Sequence, residues 1–172
     1  MCSAERTAAT LAVMKPWPEP VERVAAVLRG HAVDARLEEF EEGTSTAAAA
    51  AAALGCEAAE IVKTLVFVCD GLPVLALLPG DRRADAAKLA TAAAARAVRV
   101  ARPEEVFAVT GFEPGAVSPF PVPQASKILL ERELLLHQTV WVGAGTSRHL
   151  AGLSPIDLVR LTGAELADLA ER

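Results

Sequence analysis

At 172 residues the chain is long enough to bury a sizeable core as one domain and cramped for two. Its net charge is −5, and its lysines and arginines are scattered instead of forming blocks, which excludes a broad duplex-binding surface but not a pocket that grips a short nucleotide end with a few placed cations. Cys2, Cys56 and Cys69 form no C-x-x-C and have no histidine at ligand spacing, which argues against a disulfide framework or a structural zinc and fits a reducing cytoplasm; no metal or cofactor is expected.

Residues 1–20 read as a short leader: Glu5, Arg6 and the stretch 15–20 interrupt any apolar segment, so neither a signal peptide nor a membrane span is expected. Residues 21–172 read as a single domain. The spacing V-x-x-V-A-x-V-L over 21–28 predicts a helix that Gly30 stops, and 35–40 a short strand. Thr44-Ser45-Thr46 caps an alanine helix ended by Gly55. Two apolar runs, 61–69 and 72–78, flank Asp70-Gly71 and predict an antiparallel hairpin, in which Pro73 suggests an edge or a position outside the ladder. A polar loop at 80–83 leads to a helix over 84–95 and a short strand at 97–100. Pro103-Glu104-Glu105 opens a helix that ends at Thr110-Gly111. Segments 128–130 and 139–142 read as strands, and a Ser or Thr cap followed three residues later by an acid, at Ser154 and again at Thr162, predicts two short C-terminal helices. The hairpin leaves no room for a crossover helix, so the class is α+β with a mixed sheet.

No G-x-G-x-x-G, Walker loop, H-E-x-x-H or G-x-S-x-G occurs, and His31, His137 and His149 stand in unrelated contexts that suit surface or packing roles. Three features remain. Lys63 interrupts an apolar run; its stem could pack while the ammonium reaches water, but on an interior strand the cation points more readily into a pocket. The stretch 110–120, T-G-F-E-P-G-A-V-S-P-F, combines glycines that let backbone amides approach a ligand with prolines that pre-set φ; its alternative is a helix C-cap at Gly111 with Phe112 and Phe120 as plugs. Gly143-Ala144-Gly145 makes a corner poor in side chains after the strand at 139–142. The three are expected to meet in one pocket.

The ordered set K-T-L-V-F (63–67), D-G (70–71), G-D-R (80–82), A-x-K-L (86–89), T-G-F-x-x-G-A-V-S-P-F (110–120) and G-A-G (143–145) resembles the YbaK/prolyl-tRNA synthetase-associated domain family of trans-editing aminoacyl-tRNA deacylases. The resemblance runs from Val21 to the C-terminus. It implies a mixed, mostly antiparallel, barrel-like sheet surrounded by helices, and hydrolysis in trans of the ester that joins a wrong amino acid to tRNA. It implies that the acceptor end of a mischarged tRNA is the partner, with a synthetase as a second one, and no membrane. By position in the motifs, Lys63 would hold the terminal phosphate or ribose and Gly115 would offer its N–H to the ester carbonyl. Gly111, Phe112, Ser118, Gly143, Ala144 and Gly145 would line the substrate site. Ala116, Pro121 and Glu131 depart from the residues frequent in relatives. The rival reading is a non-catalytic module of the same fold that binds tRNA or a synthetase; a third is an esterase of small aminoacyl esters. Alanine, cysteine and serine all remain open as the amino acid removed, as does the oligomeric state.

Overall fold

The computed structural model describes residues 16–44 and 46–172. Most of the expected leader lies outside them. The first helix, α1 (Glu19–Gly30), has Pro20 in its first turn with Glu19 and Glu22, which suit the positive helix end. Val21, Val24, Ala25 and Leu28 recur at helical spacing and form its buried face. After β1 (Arg36–Glu39), α2 (Ala47–Leu54) begins at Thr46, whose hydroxyl accepts the Ala49 N–H at 3.1 Å, and ends at Gly55 in the left-handed region.

The hairpin forms as its sequence predicts. β2 (Val62–Cys69) pairs antiparallel with β3 (Leu72–Pro79) from Cys69↔Leu72 to Val62↔Pro79. Asp70 and Gly71 both take positive φ, as a two-residue turn of this kind requires. The Asp70 carboxylate then accepts from the backbone of Arg96 and Ala97, which ties the turn to β4 (Val98–Val100) after α3 (Ala86–Ala93). Helix α4 (Pro103–Thr110) precedes the 110–120 loop. There follow β5 (Lys127–Glu131), a 3-10 turn at Arg132–Leu136, β6 (Val140–Gly143), β7 (His149–Leu153), α5 (Pro155–Thr162) and β8 (Glu165–Ala167).

Five strands in the order β4-β2-β3-β5-β8 make one sheet, in which β3–β5 and β5–β8 run parallel; β1-β7-β6 make an antiparallel second sheet. A parallel bridge from Ile61 to Trp141 joins the two. The fold is α+β with mixed sheets, and the barrel-like expectation resolves into two sheets that do not close. The largest core cluster lies between them and beneath α1 and α5, with Val24, Leu77, Phe112, Leu130, Val142 and Leu158 all buried.

Of the two readings of Pro73 the edge falls and the other holds: β3 is interior, and its ladder with β5 begins one residue later, at Val74↔Lys127. The second C-terminal helix is absent, because Gly163 takes φ +66 and caps α5, while Glu165–Ala167 pair with β5 as a strand. Buried β7 has no counterpart in the sequence reading.

Candidate active site

The cavity that carries the expected residues has a volume of about 550 Å³. It sits against the edge of β2. That edge is joined to β6 at Ile61 and to β4 only from Phe67 onward, so residues 62–65 face the gap, and all four line the cavity. The N-terminal turns of α2, Gly80 at the end of β3, Gly115 and Val117 of the loop, Gly143 of β6 and Leu150 of β7 complete the wall.

Among the described residues Lys63 is the lone charged one in this lining, so the cavity carries local positive charge in a protein that is acidic overall. The side chain is half-buried, and its ammonium donates to the Arg82 carbonyl at 2.6 Å. The pairing Lys63↔Leu78 explains this reach, since β3 ends at Pro79 and turns into the loop that carries Arg82. No carboxylate pairs with Lys63 among the described residues, and two ammonium hydrogens are left for a ligand.

Gly115 faces Lys63's cavity from the loop. The loop leaves α4 at Gly111, which takes φ +73, and the Thr110 hydroxyl accepts the Phe112 N–H at 3.1 Å, turning the chain sharply. The Ala116 N–H then closes a turn onto the Glu113 carbonyl at 2.9 Å. Gly115, within that turn, has φ +85 and, its chain neighbours aside, no atom of the described residues within 4 Å of where a side chain would begin. Its backbone therefore borders open space. Val117 is held differently: its carbonyl oxygen lies against the Gly143 Cα, so closely that a Cβ there would overlap it.

Of the eight expected residues, Lys63, Gly115 and Gly143 line the cavity together. The other five are not among its lining residues. Gly111 and Phe112 are locked by Arg23, which donates to the Gly111 carbonyl at 2.7 Å and lies 4.5 Å over the Phe112 ring. Ser118 is fully buried, with its hydroxyl donating to the Phe120 carbonyl at 2.8 Å. Ala144 is buried and donates its N–H to the His149 carbonyl, and Gly145, at φ +103, abuts the Pro20 backbone where a Cβ would meet it at 2.6 Å. Thr44, Thr46, Thr64, Gly80 and Val117 line the cavity without having been singled out for it. Each sits within or beside a stretch whose pattern was visible, the cap at 44–46, the K-T pair, the G-D-R loop and the 110–120 loop. None carries a chemical signal of its own.

The lining contains no histidine, cysteine, aspartate or glutamate among the described residues, and no group of three or more such residues could hold a metal ion. The wall can therefore offer one cation, hydroxyls and backbone groups to a ligand. No described helix is long and apolar enough to cross a membrane.

Residues 41–161 match the family model of the aminoacyl-tRNA editing domain. The chain belongs to that family. Among editing-domain relatives, EbsC of Enterococcus faecalis, by name a candidate Cys-tRNA(Pro)/Cys-tRNA(Cys) deacylase, is 30% identical over 145 residues, 83% of this chain and 88% of its own. The proline–tRNA ligase of Nitratidesulfovibrio vulgaris strain DP4 is 38% identical over 92 residues, 54% of this chain, and the match spans only 16% of that much longer enzyme. A crystal structure described as a candidate trans-editing enzyme for prolyl tRNA synthetase superposes with a TM-score of 0.83 at 36% identity, covering 91% of this chain and all of that one.

Proposed function

We propose that this editing-domain protein is a hydrolase that removes the amino acid from mischarged tRNA in trans, in the cytoplasm. The observation that carries the reading is that Lys63 and Gly115, whose backbone is unobstructed, line one cavity. In this reading the two free hydrogens of Lys63 hold the terminal phosphate or ribose, and the Gly115 N–H donates to the ester carbonyl. Water attacks that carbonyl, and its oxygen gains negative charge as the new C–O bond forms. A pre-oriented donor stabilises such an oxyanion by about 2.7–4 kcal/mol, because it needs no reorganisation as charge develops. The ester C–O bond then breaks, and the proton given up by the water passes to the departing ribose oxygen. A ribose hydroxyl beside the ester orients the water. Substrate assistance of this kind suits a wall whose described residues hold no side-chain base.

The alanines of α2 and Gly80 keep one side of the cavity free of bulk, which suits a small acyl group. The name of EbsC makes Cys-tRNA(Pro) the first substrate to assay, with Ala-tRNA(Pro) and Ser-tRNA(Pro) beside it. A prolyl-tRNA synthetase is the partner that this reading provides for delivery.

Single-turnover hydrolysis of these esters tests the proposal. Free amino acid is released by the native chain, and Lys63→Ala slows release by about 10²-fold or more, the range seen when one electrostatic stabiliser is removed. Protection of the ester against spontaneous hydrolysis would instead indicate a binding module, and turnover of aminoacyl esters lacking tRNA at an equal rate would indicate a small-molecule esterase.

A further inference from the structure

Glu131 is a fully buried carboxylate that the cavity does not use. A buried charge persists only where hydrogen bonds replace its hydration, and the bonds it makes show what it holds. One carboxylate oxygen accepts the N–H groups of Leu169 at 2.6 Å and Ala170 at 2.9 Å; the other faces the Glu133 N–H at 3.4 Å. Glu131 therefore fastens the C-terminal segment. That segment in turn grips the loop after β3: the Glu171 N–H donates to the Arg83 carbonyl at 2.8 Å, the Asp85 N–H donates to the Leu169 carbonyl at 2.8 Å, and Ala84 bridges Ala170. On the surface, Arg82 and Arg172 both pair with Glu133. The same loop supplies the Arg82 carbonyl that receives the Lys63 ammonium.

We infer that Glu131 is a positioning residue for Lys63, acting through the C-terminal segment, which serves as a strap that holds the Arg82 carbonyl against the Lys63 ammonium. The inference rests on Lys63 being the working cation of the cavity. The links between the strap and the loop are backbone hydrogen bonds, so loosening the strap frees the loop that carries the Arg82 carbonyl, the fixed partner of the Lys63 ammonium. Coupling of this kind is reciprocal, and removing the Lys63 ammonium loosens the strap.

The test uses the full chain with ¹³C-labelled lysine. There are four lysines, at 15, 63, 88 and 127, so the ε-methylene signals are few enough to assign. Glu131→Leu removes both acceptors: the Lys63 signal shifts and sharpens as the side chain gains motion, Lys88 follows because it donates to Asp168 and Ala170, and Lys127 stays in place as a control for general loosening. Glu131→Gln, which keeps one oxygen for the two amides, returns the Lys63 signal toward its native position. In the reverse direction, Lys63→Met speeds hydrogen exchange of the Leu169 and Ala170 amides about fivefold, the lower end of ordinary coupling between sites. An unmoved Lys63 signal in folded Glu131→Leu, or unchanged exchange in Lys63→Met, overturns the inference. If Glu131→Leu does not fold, the exchange measurement decides alone. None of these readouts needs deacylation, so a chain that hydrolyses no mischarged tRNA would sink the proposed function and leave the strap to be judged on its own.

Discussion

Gly115 shows how much one backbone angle can carry. Its φ of +85 costs an L-residue about 1–2 kcal/mol, yet the space beyond it is open, so Gly115→Ala meets strain without a clash. The expected outcome is a loss of about 1–2 kcal/mol in urea unfolding, together with a drop in turnover of tenfold or more as the amide turns away from the cavity. Gly163→Ala provides the comparison: it has φ +66 and equally open surroundings at the end of α5, so it should lose similar stability and keep native turnover. Equal turnover in both variants would remove Gly115 from the site. Lys63 and Glu131 differ in how far they could be read in advance. A cation in an apolar run announces itself, whereas the task of a buried acid depends on which distant amides the fold brings to it, here 38 and 39 residues away.

Among the elements, β6 and the 110–120 loop meet tightly where Gly143 faces Val117. Gly143→Ala would drive a methyl into the Val117 carbonyl, a backbone atom that cannot step aside without moving the loop that presents Gly115. Overpacking of this sort costs about 1–3 kcal/mol, and we expect turnover to fall more than stability, because the loop yields before β6 does. A comparison of single-turnover rates with unfolding midpoints checks it. Helix α4, which launches the loop, is anchored at its other end by Glu105. The carboxylate accepts both guanidinium nitrogens of Arg99 at 2.7 and 2.9 Å and the Arg102 N–H at 2.9 Å. Those hydrogen bonds, the Arg99 pair first, hold its pKa well below the ordinary 4.5. A depressed carboxylate pKa stabilises the folded state at pH above its ordinary value, and that contribution fades as pH falls toward the folded value. The native chain should therefore be more stable than Glu105→Gln at neutral pH, with the difference narrowing below about pH 4.5 in urea titrations at stepped pH. The capped helices and the D-G hairpin were legible because each rests on local chemistry. β7 was not: its sequence H-L-A-G-L lacks alternation, and Gly152 is required because the Trp141 ring covers it, with a Cβ there falling 2.8 Å from ring atoms.

At the scale of the whole molecule, the cavity lies beside the bridge from Ile61 to Trp141 that joins the two sheets, where the edge of β2 stays open up to Phe67. A ligand that bridges Lys63 and the loop therefore also bridges elements far apart in sequence, and it should raise global stability. With a non-hydrolysable 3′-aminoacylamino-adenosine at about 100 times its dissociation constant, linkage predicts about 2.7 kcal/mol, or a rise in Tm of about 5–10 °C for a chain of this size. Lys63→Ala should lose most of that rise. An unchanged Tm in the native chain would mean that the cavity does not bind the acceptor terminus. The sequence by itself determined five of the six expected helices, the central hairpin, the mixed α+β class and the family, since each depends on residues near one another along the chain or on motifs kept in order. Only the tertiary structure decided that Lys63, Gly115 and Gly143 share one cavity lining, that β3 is interior, and that the C-terminal segment reaches the loop beside Lys63. Facing and register depend on which surfaces pack against one another, and that is set by contacts between residues the chain order keeps far apart.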